Sequence, residues 1–239
     1  MKLNRFDLFG FILLLGLLFL LAISLDITLK DFRNFDFSPK ILIEDIFVSY
    51  LRVFVMTFCA WISGIICGLL FHQNRILHKL FMPSINFVRH ISPFAWLPFA
   101  IVWFGLGEMP VAFIMFITLF FPTLISAIDQ FQNIPPDFID EAKVSGANML
   151  QMCLYVKLPL TFSGLINLLR IIWGLGWATI IAAEMLGVQS GLGFRLLDFR
   201  YLLQYSKMLY YLIVMGILGI ITDLIFRYFQ NRLNTVISS

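Results

Sequence analysis

Charge is what this chain has least of. Asp, Glu, Lys and Arg supply 13% of its 239 residues, about half the share found in soluble domains, so a soluble globular protein is excluded and lipid is the expected solvent. The net charge of +3 gives no reason to expect a nucleic-acid partner. Cysteine is scarce too. Cys59, Cys67 and Cys153 form no CxxC pair, and Cys59 and Cys67, on one helix, are separated by roughly 12 Å of helical rise, too far for a disulfide. All three are expected to be buried as small apolar side chains. No GxxxxGK[ST] occurs anywhere, so the chain has no P-loop to hold nucleotide phosphates. Neither HExxH nor zinc-type Cys/His spacing is present, and His72, His78 and His90 lack partners at ligand spacing. Polar sequence is short as well: the longest stretch, about 129–163, falls below the ~50-residue floor of an ordinary domain, which excludes a fused soluble catalytic domain.

What is present is apolar sequence, 60% of the residues, with 27 Phe spread along the whole length. Six runs are long enough to span a bilayer, which takes about 20 residues: Phe6–Leu25, Ile46–Phe71, Leu80–Phe104, Val111–Ile128, Gly164–Leu186 and Met208–Phe226. The first, behind Lys2 and Arg5, reads as a signal peptide cleaved after Ala22-Ile-Ser24 or as a retained helix. Its length exceeds a usual signal-peptide core and favours the retained helix. The expected architecture is therefore all-α, with six membrane helices forming one domain over 1–239. With the N-terminus inside, the inner side collects ten Lys and Arg and the outer side seven. That bias places both termini and the 129–163 segment in the cytoplasm. Gly64 and Gly68 form a GxxxG, read as a place where two helix backbones pack closely. Pro93, Pro98, Pro110 and Pro122 interrupt the third and fourth runs, and broken helices at membrane depth often line a pathway.

The polar stretch NIPPDFIDEAKVSGANMLQMCLYVKLPL reads as a helix, a break and a second short helix. Pro136 suits a first helical turn, with Asp137, Asp140 and Glu141 near the positive end of the helix dipole. Gly146 is placed to end that helix in a left-handed conformation. Asn148 can cap the second helix, which is expected to stop before Pro159. Phe138, Ala142 and Ser145 fall on one side at i, i+4 and i+7, a narrow face suited to a groove on another protein.

This stretch resembles the EAA loop of ABC-importer membrane subunits, in which EAA is followed by three residues, a Gly, and a Leu-Pro downstream. Gly146 and Pro159 keep that spacing; Asp140, Glu141 and Ala142 stand in the EAA slots, so the chain reads DEA. RHISPFAWLPFAIVWFGLGE (Arg89–Glu108), AEMLGVQSGLG (Ala183–Gly193) and SYLRVF (Ser49–Phe54) resemble the branch that imports nitrate, sulfonates, taurine, bicarbonate and thiamine-precursor pyrimidines. The resemblance runs from about Ser49 to Arg227. It implies the type I importer permease fold with a cytoplasmic coupling helix, in a bacterial inner (cytoplasmic) membrane. It also implies a pathway for a small solute, an anion such as nitrate, sulfonate, taurine or bicarbonate, with a pyrimidine or another small organic solute as the alternative. The implied partners are ABC ATPase subunits, a second permease copy and a periplasmic or lipoprotein solute-binding protein. No cofactor is expected in this chain, since ATP would be bound by the partner. The coupling role carries over to Asp140, Glu141, Ala142, Ser145, Gly146, Ala147, Leu158 and Pro159.

A pathway through the membrane would draw on Arg89 and Ser92 near the inner end of the third run, on Trp96 and Trp177, and on Glu184 near the outer end of the fifth. Intramembrane charge usually faces protein or water. For Glu184 a structural hydrogen bond to a neighbouring helix is an equal alternative, and for the tryptophans aromatic packing or interface anchoring is the commoner role. With few fixed cations along such a path, an anion would cross without a tight internal site, selection falling to the binding protein. Two rival classes remain. An intramembrane serine protease would use GVQSGLG as its nucleophile motif, but Val188 stands where a Gly is required and no His follows Ser190. A scaffold without transport would have no use for a capped lever.

Overall fold

The computed structural model describes residues 38–237 and residue 16, and helices account for nearly all of these described residues. The Phe6–Leu25 run, with the choice between signal peptide and helix, lies outside the described residues. The elements are α1 (Pro39–Gln73), α2 (Arg75–Arg89), a 3-10 turn (Pro93–Trp96), α3 (Leu97–Phe104), α4 (Glu108–Gln132), α5 (Pro136–Val144), α6 (Met149–Gln151), a π turn (Met152–Lys157), α7 (Leu158–Gly187), α8 (Leu192–Tyr201) and α9 (Tyr205–Ile237). Four helical stretches are long and apolar enough to cross a membrane, and α2 with the Pro93–Phe104 pair could make a fifth. The 35 residues of α1 reach roughly 50 Å by helical rise, so it must tilt or project beyond the ~30 Å hydrocarbon layer.

The predicted third run, Leu80–Phe104, is corrected by the structure. Its two halves meet at 90°. Ser92, immediately before Pro93, is extended (φ −54°, ψ 130°), the conformation that the following ring enforces, and Pro93 has no N–H with which to continue a helix. Pro110 lies in the first turn of α4, where no backbone donor is needed, and only Pro122 stands inside that helix.

The core sits where α1, α4 and α7 meet. One apolar cluster joins Val53, Ile114, Met115, Trp177, Ile180 and Leu192; a second, towards the polar loop, joins Ala60, Leu119, Phe131, Leu165 and Ile172. The GxxxG is used inside this bundle. A Cβ on Gly64 would lie 2.6 Å from Thr123 Cγ2, and one on Gly68 would lie 2.8 Å from the Ala127 Cβ, so α1 and α4 approach as closely as two backbones allow. Many large apolar side chains face outward, among them Phe47, Ile62, Phe87, Ile171 and Ile220, as lipid requires. The cysteines depart from expectation: Cys153 is buried, Cys67 half-buried and Cys59 exposed. A thiol that behaves as a small apolar group is equally at home against lipid as in a protein core.

Candidate functional site

Two polar constellations stand at opposite ends of the α1–α4–α7 bundle. At one end is the loop joining α4 to α7. Pro135 and Pro136 open α5, with Asp137 in its first turn and Lys143 in its last, both signs favourable to the helix dipole. Gly146 has φ +77°. Its N–H donates to the Lys143 carbonyl, and the next N–H, of Ala147, donates to the Ala142 carbonyl, both at 3.0 Å. This pair of bonds is a Schellman stop, and it fixes where the chain leaves the helix.

Two residues later the chain starts again. The Asn148 side chain accepts from Gln151 N at 2.8 Å, while the Gln151 side chain accepts from Asn148 N at 2.9 Å, a reciprocal capping box. The helix that begins there does not end before Pro159, as expected, but passes through the π turn and continues as α7, with Pro159 in its first turn. The wider turn, closed by Leu158 N–H to the Cys153 carbonyl, leaves room for a ring that would strike the preceding carbonyl in a tight α-turn.

The coupling residues named from the sequence therefore divide. Asp140, Glu141, Ser145 and Gly146 are exposed and Ala142 and Ala147 half-buried, and Asp140 accepts from Lys143 Nζ at 2.8 Å. Phe138 and Val144 stand 47% and 90% exposed. Leu158 and Pro159 lie apart from these, in the wall of an apolar groove shared with Trp61, Ile65 and Phe162.

At the other end, side chains from five elements close into a buried polar clasp. Asp45, Ser49 and Arg52 occupy one face of α1 at i, i+4 and i+7. Glu184, near the end of α7, has no exposed surface. Its carboxylate accepts from Ser49 Oγ at 2.8 and 2.9 Å, from Arg52 Nη1 at 2.6 Å and from Gly193 N at 2.9 Å. Arg52 continues outward, donating to Glu108 on α4 and to the Ser190 carbonyl and hydroxyl. The start of α8 is fed by the same residues. Gly191 N donates to Asp45 Oδ1, Leu192 N to Ser49 Oγ and Gly193 N to Glu184, so three N–H groups that a helix start leaves without partners are satisfied by distant side chains.

Asp45 also accepts from Arg195 at 3.0 Å and from the Tyr211 hydroxyl at 3.1 Å. Burial disfavours the Arg195 charge, and the Asp45 carboxylate outweighs that effect, so its pKa stands above the ordinary guanidinium value. The turn GLG is required here: Gly191 has φ +106°, and a Cβ on it would lie 2.5 Å from Glu184 Oε1 and 2.7 Å from Arg52 Nη1.

The pathway residues named from the sequence are not gathered in one place. Arg89 and Ser92 are exposed at the α2–α3 bend. Trp96 packs against the core cluster that contains Trp177. Glu184 belongs to the clasp. Sequence reading missed Asp45, Arg52, Arg195 and Tyr211 as a set. The signal was there in part: two charges and a Ser at helical spacing within an apolar run, which only burial against a partner would tolerate.

With that geometry established, comparison with known proteins is direct. Residues 60–235 match the family described as the binding-protein-dependent transport system inner membrane component. The taurine transport system permease protein of Escherichia coli strain K12 is 28% identical over 82% of this chain and 72% of its own length. The nitrate import permease protein of Leptolyngbya laminosa is 30% identical over 87% and 75%. Among solved structures, the inward-facing MetNI methionine ABC transporter superposes with a TM-score of 0.71 at 19% identity, covering 84% of this chain and 99% of that one. The bundle thus has the type I ABC-importer permease fold, and the chain belongs to the family of binding-protein-dependent transport system inner membrane components.

Proposed function

We propose that this importer permease carries a small anion, and that it does so as one half of a two-fold pathway driven by ATPase chains seated on the α5 loop. The observation that carries the reading is a helix doubly fixed in place yet left uncovered: α5 is stopped by a Schellman turn, followed at once by a capping box, and exposes Phe138 and Val144. Such rigidity in an exposed helix suits the transmission of motion, and exposed apolar side chains on it suit a groove in a partner. Asp140, Glu141, Ala142, Ser145, Gly146 and Ala147 would form the contact, with Leu158 and Pro159 joining it to α7. Because the chain carries no P-loop, hydrolysis falls to the partner. A single bundle makes half a pathway, so a second copy related by a two-fold axis completes it.

The α5 loop and both termini then lie in the cytoplasm, and the clasp lies outside, where a solute-binding protein would dock. Arg89, Ser92, Trp96 and Trp177 are the candidates for contact with the moving solute, while Glu184 holds α1, α7 and α8 together. The names of the nitrate and taurine relatives support as cargo a small anion or a small solute that carries an anionic sulfonate head. Cysteines placed singly at 140–147 should crosslink to the ATPase and be labelled from the cytoplasmic face only; labelling from outside would overturn the orientation. Asp140→Ala and Glu141→Ala, made separately, should each change stability by less than about 0.5 kcal/mol, and one of them should lose the ATPase on co-purification. If both keep it, the acid slot is wrongly assigned.

A further inference from the structure

Arg52, Arg170 and Arg195 each meet a carboxylate of this chain. Arg89 meets none among the described residues. It also stands where a lone charge is least expected. Sequence reading put it near the inner end of a straight span, but α2 ends at the 90° bend. The cleft at that bend is shared by Arg89 and His90 with Thr118, Phe121 and Pro122 of α4. Helix α4 runs from Glu108, which pairs with Arg52 in the clasp, to Gln132 at the polar loop. Thr118 and Pro122 lie roughly 15–21 Å along it by helical rise, near the middle of the ~30 Å hydrocarbon layer. Ile85, one turn earlier on α2, packs against Leu124 and Ile128, so α2 climbs beside α4 to this level.

A guanidinium at that depth is tolerated where it faces protein or water rather than lipid. Arg89 is exposed in this chain, which leaves water or a second copy to meet it. The cleft has a volume of about 340 Å³, at the small end of the ~300–1,000 Å³ usual for small-molecule sites. Two prolines shape it: Pro93 turns the chain away from α2, and Pro122 interrupts the backbone ladder of α4. The Thr118 hydroxyl donates to the Ile114 carbonyl at 2.7 Å, and His90 Nδ1–H donates to the Asn86 carbonyl. The guanidinium is therefore the uncommitted donor, and no carboxylate lines the cleft.

We propose that this cleft is a subsite on the translocation route for the oxyanion head of the solute, with the Arg89 guanidinium as its ligand. The inference rests on the reading of the chain as an anion importer and names where the anion is met. The planar fork of N–H groups matches two oxygens of a nitrate or of a sulfonate head. A cation entering the cleft finds only like charge. Apolar walls from Ile91, Ile117 and Phe121 keep the local dielectric low and lengthen the reach of that charge. One cation in an open cleft also lets the anion go, consistent with selection made earlier by the binding protein.

The test uses the complete importer, with permease, ATPase and binding protein, reconstituted in vesicles, with Cys59, Cys67 and Cys153 replaced by Ala. In this background Thr118→Cys is treated with an anionic thiol reagent, 2-sulfonatoethyl methanethiosulfonate, and with its cationic trimethylammonium analogue. Each rate is normalised to that with a free thiol. The anionic reagent should be favoured about ten-fold, sodium nitrate or taurine should slow it saturably, and Arg89→Gln should abolish the preference. In the parent background Arg89→Gln should lower nitrate or taurine uptake about ten-fold or more, as loss of a hydrogen bond to a charged group predicts, with Arg89→Lys retaining part of it. Co-purification of the ATPase should be unchanged. A thiol that reacts with neither reagent, or with both alike while Arg89 is present, would overturn the subsite even if Arg89→Gln failed to assemble. Undiminished uptake by an assembled Arg89→Gln complex would do the same. So would a carboxylate of the second copy found crosslinked to position 89, since Arg89 would then be a structural partner; the importer reading would survive all three. A parent complex that transports neither nitrate nor taurine would overturn the anion reading itself, and the subsite with it.

Discussion

The clasp around Glu184 and the loop around Gly146 are both polar, both built on glycine turns with positive φ, and both at the ends of the same helices. They differ in where their bonds lead. Every charged group of the clasp is answered by another residue of this chain: α1, α4, α7 and α8 each give side chains or backbone to it, and Glu184 is wholly buried. The loop satisfies its backbone locally and leaves its charged side chains uncovered; its Asp140–Lys143 ion pair is between exposed groups. The clasp is a finished piece of tertiary structure, whereas the loop is a finished piece of secondary structure that touches the bundle through Ile134 and Ile139 and leaves its polar side chains uncovered. Damage to the first should therefore act on stability, and damage to the second on partnership.

The comparison is tested most severely at Arg52. Arg52→Ala leaves Glu184 buried with no compensating charge, and loss of one partner from a buried pair costs about 3–5 kcal/mol. Thermal unfolding of the detergent-solubilised protein should show that loss; a variant as stable as the parent would mean that the clasp is ornamental. Gly191→Ala comes next. The strained φ and the collision with Glu184 and Arg52 should cost about 2 kcal/mol, read in the same way.

Gly146→Val gives the opposite pattern. A Cβ there would meet nothing within 4 Å, so the penalty is conformational only, about 1–2 kcal/mol and confined to the end of α5. Membrane insertion should be normal and ATPase coupling lost, with Gly146→Asn retaining more function because Asn tolerates the left-handed region. Undiminished uptake by the Val variant would count against a rigid lever. The smallest effect is expected at Leu203, which ends α8 with the same pair of bonds, Leu203 N to Arg200 O and Gln204 N to Phe199 O, but at φ +55° without a glycine. Its side chain is 69% exposed. Leu203→Gly should stabilise the protein by about 1 kcal/mol, seen as a rise in Tm.

Much of this was legible along the chain, and for a common reason. Where a feature depends on near neighbours, the residues announce it: Gly146 ends α5, Asn148 caps the next helix, and the Gly64–Gly68 spacing marks a close helix approach. The failures share a reason too. The bend at Ser92–Pro93 looked like an interruption of one span because hydropathy counts residues and not direction. Pro159 looked like a stop because the π turn that admits it is not encoded in a short motif. Cys59 was expected inside, since an apolar residue in a membrane protein reads the same whether it faces lipid or core.

Sequence alone determined the solvent of this protein, its helical class, its family likeness and the placing of its loop caps, because those depend on composition and on contacts within a few residues. Only the tertiary structure decided that Asp45, Ser49 and Arg52 meet Glu184 and the start of α8 across more than a hundred residues. It also decided that two indoles of α7 remain without acceptors among the described residues. Such pairings depend on how long helices pack against one another, and a charge or an N–H in the chain carries no mark of which distant partner will answer it.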